Sequence, residues 1–91
     1  MVSAHRKKEL AQEAKRLQPL LNVGKSGLSE GFVQELDLLL KKKGLVKVKF
    51  LRSFVDSNQV KEAAASLGTE LNAELIDFVG NVAVFYRRPQ Q

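Results

Sequence analysis

The chain has 91 residues, 44% of them hydrophobic, and it contains no cysteine. This length favours one small domain, and the lack of cysteine excludes disulfide frameworks, thiolate zinc sites and cysteine nucleophiles. With His5 as the single histidine, we expect no enzyme, no metal site and no cofactor. Because the sequence shows neither a long apolar stretch nor a secretory signal, we expect a cytoplasmic protein without a membrane segment.

Positive charge is concentrated in the first part of the chain. The net charge is +5, but residues 1–52 carry 12 Lys/Arg against 5 Asp/Glu, whereas residues 53–91 carry 3 against 5. The first part is therefore +7 and the second −2. A basic surface of this kind indicates an anionic partner such as nucleic acid, although basic side chains can also serve solubility alone.

The first predicted element is a helix from Ser3 to Leu17. Ser3 is a suitable N-cap, and Leu10, Ala14 and Leu17 form one apolar stripe before Pro19.

Two lysines of this helix share a solvent-facing line. Lys8 and Lys15 are seven residues apart, which is about two helical turns. They are candidates for contacting successive phosphates, and a merely solvated helix face is the alternative.

A short strand, "PLLNV", and a second helix from Ser29 to Lys43 follow. The helix has an apolar face formed by Phe32, Val33, Leu36, Leu39 and Leu40. Its last turn carries three lysines, 41–43, before Gly44. Lysines there oppose the helix dipole, and this explains them at least as well as contact with a ligand.

The segment "LVKVKFL", residues 45–51, alternates strictly and predicts a half-buried strand. Val46, Val48 and Phe50 fall on one face, and Lys47 and Lys49 fall on the other. The lysines are also compatible with a guarded sheet edge.

The remaining elements are a helix and a hairpin. Asp56 and Gln59 resemble a capping box for a helix that ends at Gly68. The β-prone runs 69–79 and 82–87 flank the dipeptide Gly80-Asn81, which is typical of a two-residue hairpin turn.

The element order is thus α-β-α-β-α-β-β. It predicts a single compact α/β domain over residues 1–91, with an ordered core at about 3–88 and a four-stranded mixed sheet packed by helices.

The most informative stretch is the turn "GKSG", residues 24–27, between a strand and a helix. Glycines let the backbone approach a ligand, and Lys25 adds a positive charge, so the turn is suited to holding phosphate. It is no Walker loop, because Pro19 stands where the first glycine would be, and it lacks the G-x-G of dinucleotide sites. A purely geometric role for the glycines is the alternative, and Glu30 competes for the same helix end.

KH domains clamp nucleic-acid backbone with a GxxG loop, which gives the turn a physical precedent. The turn, the basic stripe of the first helix and the lysines of the following elements together favour RNA as the partner.

The chain resembles the CRM domain family, named for chloroplast RNA splicing and ribosome maturation, and its single-domain YhbY-like members. The resemblance is carried by "LQPLLNVGKSGLSEG", "LVKVKF" and "VGNVAVFYRR", in matching order over nearly the whole chain. It implies a fold similar to the C-terminal domain of a bacterial translation initiation factor.

The resemblance also implies a site and a partner. The site would comprise the loop, two lysines of the first helix and the hairpin end: Gly24, Lys25, Ser26, Gly27, Lys8, Lys15 and Arg87. Lys41, Lys47 and Lys49 are secondary candidates. The partner would be RNA of the large-ribosomal-subunit precursor, bound by a monomer. The alternatives are a splicing or chaperone-like factor, an adaptor docking an acidic ribosomal surface, and a phosphate-ester enzyme using Lys25.

Overall fold

A computed structural model describes residues 2–55 and 59–89. Over these ranges the chain forms helices and strands in the order α1 (Ala4–Ala14), β1 (Leu21–Val23), α2 (Glu30–Lys43), β2 (Leu45–Phe50), α3 (Arg52–Val55), α4 (Val60–Glu70), β3 (Glu74–Val79) and β4 (Val82–Tyr86). None of the helices in the described ranges has the length and apolar character needed to cross a bilayer.

The four strands form one mixed sheet in the order β1-β2-β4-β3. β1 runs parallel to β2, with Leu21 beside Val48, and β4 is antiparallel to both of its neighbours. This confirms the predicted α/β fold with a four-stranded mixed sheet. Because β2 lies inside the sheet, the interpretation of its lysines as guards of a sheet edge is wrong.

Helices cover both faces of the sheet. On one face α2 and α4 pack over a large core that includes Leu36, Leu40, Val46, Val48, Phe50, Ala64, Leu67, Ala83 and Phe85. On the other face α1 packs over a smaller core formed by Leu10, Ala14, Leu45, Ile76 and Val84. Burial of these apolar side chains supplies most of the favourable free energy that holds the three layers together.

The first helix ends earlier than its apolar stripe predicts. Ser3 caps it as expected, since its Oγ accepts the amide of Arg6 at 3.1 Å. The helix stops at Ala14, and Leu17 N donates to Ala14 O in a tighter turn. Leu17 is therefore exposed and does not join the core.

The third long helix, α4, continues past the glycine predicted to end it. A Cβ on Gly68 would lie 3.1 Å from the carbonyl oxygen of Ala73 and 3.5 Å from the Phe85 ring, so the glycine permits close packing inside the helix. The β-prone run predicted from residue 69 becomes a strand only at Glu74. Gln59 occupies the N-cap without a side-chain bond, and Asp56 lies outside the described residues.

The sheet has two distinct ends. We call the end where β1 and β2 finish the loop end. The predicted hairpin turn lies there too, with Gly80 and Asn81 at positive φ. Phe50 N donates to Asn81 O at 2.8 Å and fixes that turn to β2. We call the opposite end the far end, where the Arg87 amide donates to Gly44 O at 2.9 Å.

Candidate nucleic-acid interface

The GxxG loop is a tight turn at the loop end of the sheet. The amide of Gly27 donates to Gly24 O at 2.9 Å, which places Lys25 and Ser26 at the two exposed corners. Gly27 has φ +66°, a conformation that other L-residues adopt only with strain. The turn therefore presents a cation and a hydroxyl to solvent in a fixed position.

Gly24 has a different role from Gly27. A Cβ at this position would lie 3.3 Å from Leu51 Cδ1 and 3.5 Å from Ser53 Oγ, so the residue permits close approach of the segment that follows β2. Gly27 is therefore needed for the backbone conformation of the turn, and Gly24 is needed for close packing.

The start of α2 lies directly after the loop. Ser29 Oγ accepts the amide of Phe32 at 3.2 Å and caps the helix. The amides of Glu30 and Gly31 belong to the first turn, where a helix supplies no acceptor of its own. A Cβ on Gly31 would meet nothing within 4 Å, so the approach to this turn is open.

A short helix, α3, flanks the loop, and its sequence carries no helical pattern that predicts it. In α3, Phe54 N donates to Leu51 O at 2.9 Å, and the Phe54 ring lies 3.8 Å from the position of a Cβ on Gly27. Ring packing between Phe54 and Phe50, at 5.4 Å between centroids, anchors α3 to the large core. The exposed Arg52 of α3 therefore joins the basic residues near the loop.

The lysines of β2 lie on the face that carries α1. Lys49 is exposed, between Asn22 of β1 and Val82 of β4, and Lys47 pairs with Val84. Lys47 Nζ also donates to Leu17 O at 3.1 Å, which holds its side chain beside the end of α1.

Lys15 follows the last residue of α1 and is exposed, near Lys47. Lys8 lies two turns earlier on the same flank of the helix, about 10 Å away along its axis. The structure thus brings Lys15, Lys47 and Lys49 to one region, with Lys8 extending it along α1.

Two predicted site residues lie elsewhere. Arg87 follows β4 at the far end, and only 15% of its side chain is exposed. Its Nη1 donates to Asp37 Oδ1 and to Leu71 O, and its Nη2 donates to Asp37 O, each at 2.8 Å. Lys41 Nζ lies 3.5 Å from Asp37 Oδ2. Arg87 and Lys41 thus both pair with the carboxylate of Asp37, away from the loop.

The contacts with Arg87 and Lys41 lower the pKa of Asp37. The hydrogen bond from Arg87, together with the charges of Arg87 and Lys41, lowers the pKa of the Asp37 carboxyl below its ordinary value of 3.8, while burial acts in the opposite direction. Asp37 is therefore ionised at neutral pH, and the pair ties α2 to the end of β4.

The candidate lysines at the other end are electrostatically different. In the described part of the chain, no carboxylate lies within 4 Å of the ammonium of Lys8, Lys15, Lys25, Lys47 or Lys49. Their charges are therefore available to an anion. Over the same residues no group of three or more His, Asp or Glu side chains is arranged to hold a metal ion.

The aromatic side chains near the hairpin divide between the two faces of the sheet. Phe85 is fully buried in the large core, whereas Tyr86 is half-buried on the α1 face at the far end. The guanidinium of Arg6 lies 5.8 Å from the Tyr86 ring centroid. The aromatic rings therefore lie away from the GxxG loop or inside the core.

Several known proteins are similar to this chain. A Methanocaldococcus jannaschii protein named a probable RNA-binding protein is 36% identical over 81 residues, which are 89% of this chain and 60% of that protein. A Bacillus subtilis protein with the same description is 28% identical over 92 residues, covering 100% of this chain and 93% of the relative. The chain thus spans about three fifths of the archaeal relative and nearly all of the bacterial one.

The fold is shared with a solved structure. The solution structure of a Staphylococcus aureus protein, reported as a candidate RNA-binding protein, superposes with a TM-score of 0.81 at 27% identity, covering 100% of this chain and 93% of the other. The family model of the CRS1/YhbY (CRM) domain matches residues 2–87. The chain is therefore a member of the CRS1/YhbY (CRM) domain family.

Proposed function

We propose that the protein binds RNA at the loop end of its sheet. The observation that carries this proposal is the exposed pair Lys25 and Ser26, held at the corners of a turn that Gly24 and Gly27 fix in place. Membership of the CRM family, and relatives named probable RNA-binding proteins, support RNA as the anion.

The contacts follow from the chemistry of the loop. Lys25 pairs with a backbone phosphate, the Ser26 hydroxyl donates to it, and the first-turn amides of Glu30 and Gly31 add donors. The Gly27 amide is already used inside the turn and contributes nothing. Such contacts give salt-sensitive affinity without reading sequence.

We further propose that the RNA belongs to the precursor of the large ribosomal subunit and that the protein acts as a cytoplasmic monomer. The resemblance to single-domain CRM proteins supports the ribosomal precursor as the RNA. Crosslinking in cells followed by sequencing of the bound RNA tests it, because ribosomal precursor sequences should dominate. Intron sequences would indicate splicing instead, and a protein complex that survives nuclease digestion would indicate an adaptor.

The loop is tested by the double variant Lys25→Ala/Gly27→Asp. We expect RNA affinity, measured by fluorescence anisotropy, to fall at least tenfold, about 1.4 kcal/mol, because the variant removes one charge and adds an opposing one. Circular dichroism and urea unfolding should show a folded domain, since Asp tolerates positive φ better than most residues.

Two controls separate the loop from general effects. Lys25→Ala/Gly27→Asn carries the same backbone strain without the added negative charge and should lose less affinity. Arg88→Glu changes the net charge by the same two units on an exposed residue at the far end and should bind nearly like the parent. A folded double variant with parental affinity would contradict the proposed site.

A further inference from the structure

A groove on the α1 face of the sheet is not explained by phosphate binding at the loop. It has a volume of about 300 Å³ and is lined by Ala11, Ala14, Lys15, Lys47, Asp77, Val79, Val82 and Val84. We call it the sheet groove. Its size is at the lower end of small-molecule sites, which span roughly 300–1,000 Å³, so it suits one ring system better than a folded partner.

The floor of the sheet groove is apolar and open. It exists because α1 ends at Ala14, so that no helix of the described residues covers the strands beyond this point. Val79 and Val82 are directly paired on β3 and β4, and Val79 is 67% exposed although it is apolar. Val79 and Val82 thus form a small apolar floor that is open to solvent.

The rim of the sheet groove carries positive charge. Lys15 and Lys47 line it, and Lys49 is the cross-strand partner of Val82. In the described ranges these three ammonium groups have no carboxylate within 4 Å. An apolar floor with a cationic rim is complementary to a flat ring attached to a phosphate, which is the chemistry of a nucleotide.

Asp77 is the acidic member of the rim. A register shift between Leu75 and Asp77 interrupts the pairing of β3 with β4, and Asp77 lies beside Val84 on the α1 face. Its Oδ1 accepts the amide of Phe78 at 2.9 Å. A carboxylate has further acceptor capacity, so Asp77 can accept N–H groups of a base, and guanine offers two adjacent donors on its Watson–Crick edge.

The sheet groove lies at the same end of the sheet as the GxxG loop. Asn22, two residues before Gly24, is the register partner of Lys49, which in turn pairs with Val82. Val82 on β4 is thus two strand spacings from β1, about 10 Å, and Val79 on β3 is three spacings away, about 14 Å. KH domains hold about four nucleotides at a GxxG loop, so a strand held at the loop here extends as far as the groove.

We propose that the sheet groove holds one unpaired base, preferentially guanine, of the RNA strand whose backbone the GxxG loop grips. The base covers Val79 and Val82, its phosphate faces the lysines, and its N–H donors face Asp77. This inference rests on the proposed function and adds a base-binding subsite to it.

The floor is tested with Val79→Asp in the full chain. Fluorescein-labelled probes are a uridine decamer with one central guanosine, an all-uridine decamer and an RNA duplex of the same length. We expect Val79→Asp to weaken binding of the guanosine-containing strand at least fivefold and to leave duplex binding within twofold. The control is Leu38→Asp, which adds the same charge at another exposed apolar residue, on α2. It should change neither the affinity for the guanosine-containing strand nor the affinity for the duplex. Val79→Thr, a near-isosteric change, provides a second reading if Val79→Asp fails to fold.

Asp77→Asn tests the base preference. The parent should bind the guanosine-containing strand at least fivefold more tightly than the all-uridine strand. In the variant this ratio of affinities should fall close to one, while the affinity for the all-uridine strand stays that of the parent.

The outcomes separate the two proposals. If the parent binds RNA but the Val79 variants bind every probe like the parent, or lose single strand and duplex equally, the sheet groove is not a base site and the loop proposal stands. If the variants lose a protein partner while keeping RNA affinity, the groove belongs to a peptide. A parent that binds none of the probes overturns both proposals.

Discussion

The two ends of the sheet use their positive charges in different ways. At the far end, Arg87 and Lys41 share the carboxylate of Asp37, and Arg87 is mostly buried. At the loop end, Lys25 and Lys49 are exposed, with no carboxylate within 4 Å in the described chain. The first group stabilises the fold, and the second is free to meet an anion.

A count of basic residues therefore does not define a binding surface. Arg87 lies in a stretch that resembles the family pattern, yet its guanidinium is occupied by three internal acceptors. A cation that pairs with an internal acceptor stabilises the fold, whereas a cation without one is available to an external anion.

The largest expected effect is on stability at the far end. Arg87→Ala should lower the free energy of unfolding by about 1.5–3 kcal/mol, because Asp37 and Leu71 O lose charged hydrogen-bond donors. Urea unfolding measures this, with the exposed neighbour Arg88→Ala as control, expected within about 0.5 kcal/mol of the parent. Unchanged stability combined with an RNA affinity lower than that of Arg88→Ala would move Arg87 to the RNA surface.

A smaller effect is the pH dependence carried by Asp37. Because its pKa is lower in the folded chain than its ordinary value of 3.8, the unfolded chain binds more protons as the pH falls. The stabilisation of the fold by ionised Asp37 is complete at pH values above 3.8. It is lost as the pH falls through the lower pKa that Asp37 has in the folded chain. Urea midpoints recorded from about pH 6 to about pH 3 should therefore fall more steeply for the parent than for Asp37→Asn. Parallel curves would show that the ion pair adds nothing to stability.

The smallest effect is expected at the first turn of α2. Gly31→Ala should stabilise the protein by about 0.5–1 kcal/mol, because Ala is the better helix former and its Cβ meets nothing within 4 Å. The same methyl group narrows the approach to the loop, so RNA affinity should fall. Ser66→Ala in the exposed part of α4 is the control for helix stabilisation without a change in binding. A gain in both stability and affinity would contradict an open approach at Gly31.

Much of the fold could be predicted because its signals are local. The caps Ser3 and Ser29, the apolar spacing of α2 and the Gly80-Asn81 turn each act within a few residues. The GxxG turn is local in part: Gly27 supplies the positive φ of the turn, whereas Gly24 makes room for Leu51 and Ser53 of a later segment.

The rest could not be predicted because it depends on distant contacts. The partner of Arg87 is 50 residues away, and the Phe85 ring that packs against Gly68 belongs to β4. α3 has only four residues, too few to show a helical period, so Arg52 was missed. The sheet groove combines side chains from α1 and three strands, which only the folded chain brings together.

The most direct test of the central claim is the salt dependence of RNA binding by two charge-matched variants. Lys25→Gln/Lys49→Gln removes two charges at the loop end, and Lys41→Gln/Lys42→Gln removes two on the last turn of α2. For a single strand, the slope of log K against log salt is negative, and each lost phosphate contact should reduce its magnitude by about 0.7. We predict a decrease of about 1.4 for the loop-end pair and none for the α2 pair. Equal decreases, or a decrease confined to the α2 pair, would contradict the account.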